Sequence, residues 1–408
     1  MKPSKKQTRI IPGMVVAVAL VFISLAKGGE PLIPPEIVDM KIIGAMGDYS
    51  SSITSELLLN GDYLYCSMIW GGGLKTLDVS DPSNMVLTSE WTDGGGGSGQ
   101  AYGLAMKGTV LYMANWAPNI GLRVFNIADP AHPSLIRTRN TTVHAWQLCI
   151  EGNLLFVSVS NGYDIAGIDI FDISTPSNPT HLTFVQPSPF HRLVGEPAAY
   201  GNYMYMLSNN RMEVYNISNP SSPTEIRQLS FNARTGTGNL VIKDGYLYMR
   251  CDDDTYPDPD WLDGGVYVFS LADPSNPQQV EFYERPLGKD LHLQHDRYCI
   301  IPAGGNAVYG LDVSDPLNIS LLWHVGMEWP GTGPGGYEEC AAGTGDYVFV
   351  GVVQSNGCTQ CGGRVYAVRI EEPKPPIIVE VTSDPDIAYI GQAYSKQLSL
   401  LQGTPLPT

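Results

Sequence analysis

The chain has 408 residues, 43% of them hydrophobic and only 16% charged, so it can bury a sizeable core and does not read as disordered. Its 24 basic and 41 acidic residues leave a net charge of −17, which removes the electrostatic basis for sequence-independent binding to nucleic acid or anionic lipid. Gly (44), Pro (31) and Tyr (22) are all frequent, which favours many turns and β-structure over helix.

The N-terminus carries Lys2, Lys5, Lys6 and Arg9, followed by an apolar run from Ile10 to Ala26. Ser24 and Ala26 place small residues where a signal peptidase reads, so residues 1–26 are read as a signal peptide and 27–34 as a linker. An uncleaved anchor is the competing reading, but Pro12-Gly13 leaves the run short of the roughly 20 residues a bilayer span needs. No other stretch is apolar enough to cross. The expectation is an exported protein, at the cell surface, in the periplasm or outside the cell, with no membrane span after cleavage.

From residue 35 to 374 one phrase recurs. It reads Asp78-Val-Ser-Asp-Pro-Ser-Asn, then Asn126-Ile-Ala-Asp-Pro-Ala-His-Pro, Asp172-Ile-Ser-Thr-Pro-Ser-Asn-Pro and Asn216-Ile-Ser-Asn-Pro-Ser-Ser-Pro. Copies follow at Ser270 and Asp312, with a weaker one at Arg369. The first prolines are Pro82, Pro130, Pro176, Pro220, Pro274, Pro316 and Pro373, spaced by 48, 46, 44, 54, 42 and 57 residues. That is a propeller period. Each unit runs from an apolar stretch through a Gly turn to an aromatic-rich strand such as Val110-Leu-Tyr-Met. A β-branched strand, the proline turn and a fourth short strand complete it. The fold expected is all-β, a seven-bladed propeller of four-stranded antiparallel blades. The seventh unit supplies only three strands, so Ile37–Ile43 is expected to close the ring as its fourth.

Gly121-Leu-Arg-Val-Phe-Asn-Ile-Ala-Asp-Pro and Gly167-Ile-Asp-Ile-Phe-Asp-Ile-Ser-Thr-Pro resemble the LVIVD repeat of bacterial and archaeal exported propellers. The resemblance implies the fold and implies little about function, because blade sequence rather than an active site defines that family. Residues 375–408, beginning Pro375-Pro-Ile-Ile-Val-Glu-Val, resemble the opening strands of a bacterial immunoglobulin-like module. They are too few to complete such a sandwich. Either the chain is a fragment of a longer protein or this tail packs on the propeller.

In a four-strand meander the proline turns all fall on one face, where Asp, Asn and Ser side chains can cap turn N–H groups. Function is expected on the opposite face. Its loops carry His144, Trp146, His191, Arg192, Arg234, His292, Trp329 and Glu338, which should ring the channel mouth and form a concave ligand site. His144, His191, His292 and Glu338 could converge on a transition metal, or stand as separate hydrogen-bonded surface groups. Two insertions decorate the same face. Residues 252–263 hold six Asp; Asp252, Asp254, Asp258, Asp260 and Asp263 are candidate calcium ligands, against a solvated acidic loop. Cys358 and Cys361 read as a local disulfide in an exported protein, with a redox thiol pair or half a zinc knuckle as alternatives.

Two functions stand against each other. One is a non-catalytic scaffold that binds a protein or carbohydrate ligand, which should show an exposed aromatic patch. The other is a propeller hydrolase, lyase or oxidoreductase at the channel mouth, which needs its polar groups within reach of a common point.

Overall fold

The computed structural model describes residues 36–42, 53–69, 73–92, 100–116, 121–188, 195–208, 211–231, 233–234, 238–253, 265–284, 290–294, 297–303, 307–326, 337–353 and 364–370. All of them belong to the compact unit Met1–Glu372. The signal-peptide, linker and immunoglobulin-like assignments at 1–26, 27–34 and 375–408 lie outside the described residues.

Seven antiparallel blades form a ring, and the sheets of blades one to six run in chain order from an inner strand to an outer one. Blade one is Ile53–Asn60, Tyr63–Ile69, Gly73–Asp78 and Val86–Trp91. Blade two is Ala101–Lys107, Val110–Asn115, Leu122–Asn126 and Ser134–Arg139. Blade three follows with Ala145–Glu151, Leu154–Ser160, Ala166–Asp172 and Thr180–Val185. Blade four has a short inner strand, Ala198–Tyr200, before Tyr203–Ser208, Arg211–Asn216 and Thr224–Ser230. Blade five is Leu240–Lys243, Tyr246–Asp253, Gly265–Ser270 and Gln278–Glu284, with the two-residue strand Ala233–Arg234 also paired to Tyr246–Asp253. Blade six is His292–Gln294, Tyr298–Ala303, Ala307–Asp312 and Ser320–Gly326.

Blade seven closes the ring. Its own strands are Tyr337–Thr344, Tyr347–Val353 and Arg364–Arg369. Its outer strand is the N-terminal Glu36–Ile42, antiparallel to Arg364–Arg369 with Met40 opposite Tyr366. The expected closure is thus observed, and it removes an edge that would otherwise be bare.

The core is not one mass but seven wedges, one between each pair of neighbouring blades. The wedge between blades seven and one joins Leu57, Leu64, Cys66 and Leu77 to Phe349, Val365 and Ala367. Period-2 alternation makes this possible, because side chains leaving opposite faces of a strand enter different wedges. In blade one, Tyr65 packs toward blade two while Leu64 and Cys66 pack toward blade seven.

The proline turns prove structural. Asp78 accepts from Ser80 N, Asn126 from Ala128 N, Asp172 from Ser174 N and Asp312 from Ser314 N, at 2.7–3.0 Å. A second cap lies three residues on: Asp81 and Asp273 each accept from the N–H two residues later, both at 3.0 Å. The residue after each third strand then bonds the inner turn, as Val79 N does to Asp62 O and Ile217 N to Asn202 O, both at 2.8 Å.

Candidate functional site

On the face opposite the proline turns, blades two and three bring four rings together. His144 stacks on Trp116, with centroids 4.2 Å apart and planes 16° from parallel. Trp146 meets Trp116 edge to face at 4.3 Å, and Tyr102 tilts against Trp146 at 4.7 Å. Such contacts at this spacing are mutually attractive. All four residues are half-buried, so the cluster keeps a surface open to solvent. The local chain explains its position. Trp116 N donates to Gln100 O (2.9 Å), which ties the end of one strand to the start of the blade's inner strand. Tyr102 Oη donates to Gln100 Oε1 (3.0 Å), and Trp146 Nε1 to Ser160 O (3.4 Å). His144 Nδ1 is buried with no hydrogen-bond partner among the described residues.

One level along the inner strands lies a polar ring. Strand register aligns Glu56, Gly103, Gln147, Glu196, Asn239, Asp290 and Cys340, one residue per blade. Several of them act on each other although their blades are not neighbours, which only the central channel permits. The Gln147 side chain hydrogen-bonds Glu56 from two blades away. It crosses Gly103, where a Cβ would sit 2.4 Å from Gln147 Oε1. Asn239 Nδ2 donates to both Glu196 Oε2 (2.8 Å) and Asp290 Oδ1 (3.1 Å). Asp290 also accepts from Leu291 N (2.7 Å) and Ala341 N (3.1 Å).

The electrostatics follow from packing. Burial pushes the Glu196 carboxyl up to about 8, with Asp290 beside it adding to the rise and Asn239 opposing it. Burial, then Asp290 and Glu196, hold Glu56 well above the usual carboxylate range. Asp290 is raised by burial against its two backbone donors and Arg250. Glu56 and Glu196 are half-buried. Burial thus disfavours the ionised form of all three, and a cation beside them would favour it.

Of the residues expected at the mouth, His144 and Trp146 are in the ring cluster. His292 instead enters the wall of blade six, where burial pushes its imidazole down to about 4 and its Nε2 has no partner among the described residues. Arg234 stands opposite Asp252 in the small strand pair of blade five, and Glu338 opposite Val352 in blade seven. His191, Arg192 and Trp329 lie outside the described residues, as do Asp254, Asp258, Asp260 and Asp263 of the calcium set and the Cys358–Cys361 pair. Among the described residues no group of three His, Cys, Asp or Glu has metal-binding geometry. Sequence reasoning missed Trp116, Glu56, Glu196 and Asn239. No local signal marks the last three, whose register position holds Gly103, Gln147 and Cys340 in other blades.

Comparison with known proteins agrees with this architecture. Residues 53–93, 98–141, 144–186 and 196–230 match the LVIVD repeat, one match for each of blades one to four. No curated protein matches the chain. Among solved structures, the chain is similar to an X-ray structure of a hypothetical selenium-binding protein from Sulfolobus tokodaii. Identity is 12% and the TM-score 0.58, covering 83% of this chain and 90% of that one. It is also similar to a crystal structure of a protein from Lactobacillus plantarum, at 13% identity and a TM-score of 0.51, covering 66% and 84%. At such identities the likeness is one of fold.

Proposed function

We propose that this protein is an exported, non-catalytic propeller scaffold that binds a protein or carbohydrate ligand at the mouth of its channel. The observation that carries the reading is the half-buried cluster of Tyr102, Trp116, His144 and Trp146. Aromatic rings with polar handles supply large contact area at low conformational cost, which is why they concentrate in binding surfaces. Export rests on the basic and apolar N-terminal segment. Screening the protein against a glycan array and a library of extracellular domains tests the reading. Saturable binding is expected, lost in Trp116→Ala with Trp146→Ala while the melting curve stays that of a folded propeller. A ligand that binds equally well to the double variant contradicts it.

One observation favours an enzyme instead. Glu196 and Asp290 share the Asn239 amide, and a carboxyl raised to about 8 can act as a general acid near neutrality. Turnover of a bound ligand that Glu196→Gln abolishes would select this second reading.

A further inference from the structure

We propose that the mouth recognises a small alkylammonium ion, seated between the aromatic cluster and the carboxylates of the channel. This deepens the reading of the mouth as a ligand site and rests on it for the location.

Two indoles, a phenol and an imidazole meet within 4.2–6.2 Å of one another and stay half-exposed. An aromatic face is the negative end of a ring quadrupole, so grouped faces favour a poorly hydrated cation over an anion or a neutral polar group. The cluster is joined to the channel through the chain itself. Tyr102 and Trp146 are bonded to Gly103 and Gln147, and Gln147 reaches across Gly103 to hydrogen-bond Glu56. Beyond Glu56 stand Glu196 and Asp290.

The charges set the sign of the ligand. Three carboxylates share the channel, and among the described residues Arg250 is the cation that acts on them, through Asp290. An anionic ligand would further oppose ionisation of all three carboxyls, which burial already disfavours. An alkylammonium ion gains from both parts of the site. It lies against ring faces and favours the ionised form of carboxyls whose ionisation burial disfavours. Binding is therefore coupled to proton release. The groups that take part are Glu56, Glu196 and Asp290, with Arg250 on Asp290 and the Cys149 and Cys299 thiols close enough to feel Glu196 and Asp290.

Calorimetric titration of the full chain with choline, and with its neutral carbon isostere, tests this. Choline is expected to bind saturably and at least about tenfold tighter than the isostere. Trp116→Ala should weaken choline about tenfold, and Glu196→Gln should flatten a rise in affinity seen between pH 6 and 9. Equal binding of the two probes, choline binding unchanged in Trp116→Ala, or no choline binding at all would each overturn the inference. In the last case, array ligands still lost in the Trp116 and Trp146 double variant would leave the broader reading standing.

Discussion

The Tyr65 hydroxyl of blade one donates to the carbonyl of Pro130 in the turn of blade two, at 3.1 Å. The same tie runs from Tyr112 to Pro176 and from Tyr205 to Pro274, each at 2.8 Å. A phenol at one position of the second strand therefore latches each of these blades to the proline turn of the next. The tie gives the recurrent proline turn a second role beyond reversing the chain.

Removing one latch should be felt without collapse. Tyr112→Phe or Tyr205→Phe is expected to cost about 1 kcal/mol, the usual net worth of one hydrogen bond, in chemical denaturation. Phe156 stands at the equivalent position of blade three and has no hydroxyl to donate. Phe156→Tyr should recover a similar amount if the turn at Pro220 is placed alike; a loss would show that it is not.

The ring depends on its N-terminal strand. Deleting residues 36–42 leaves Arg364–Arg369 with a bare edge and blade seven with three strands. The deletion variant should melt at a lower temperature and associate through that edge, seen as higher-mass species in size-exclusion chromatography. An unchanged monomer with an unchanged melting point contradicts the closure account.

Gly103 is fixed by space. A Cβ there would lie 2.8 Å from Gln147 Cα and 2.9 Å from Trp146 O, both main-chain atoms that cannot swing away. Gly103→Ala is expected to cost about 1–3 kcal/mol and to part Gln147 from Glu56. Ligand binding at the mouth should weaken with it.

The Glu196 carboxyl makes stability depend on pH. Its folded value, about 8, lies above the unfolded value of about 4.3, so the folded chain holds the extra proton between them. Its stabilising contribution is full below the unfolded value and is lost as pH rises through the folded one. Glu196→Gln should therefore flatten the decline in stability between pH 5 and 8. A variant that declines as steeply as the parent assigns the effect elsewhere.

Calcium is testable at the blade-five insertion. If Asp252, Asp254, Asp258, Asp260 and Asp263 hold the ion, millimolar calcium should raise the melting temperature, and Asp258→Asn with Asp260→Asn should remove that shift. An equal shift in the double variant returns the loop to a solvated acidic surface.

Much of the fold was legible because it repeats. The prolines from Pro82 to Pro316 marked one turn in each of blades one to six, and the missing fourth strand of the last unit pointed to residues 37–43. The mouth was legible only by its place in the repeat, which picked out His144 and Trp146. Trp116 was missed because it follows a second strand rather than preceding an inner one. The channel ring was missed for a physical reason. Glu56, Glu196 and Asp290 lie far apart in sequence, and their register position holds Gly, Gln, Asn and Cys in the other blades. No local pattern marks such a position; only closing the ring brings its members together.

Fluorine NMR of protein labelled with fluorotryptophan tests the ligand-bearing mouth most directly. On titration with choline, and separately with any array ligand, the Trp116 and Trp146 resonances should shift saturably while those of Trp91 and Trp323 stay in place. Binding that leaves Trp116 and Trp146 unmoved contradicts the account.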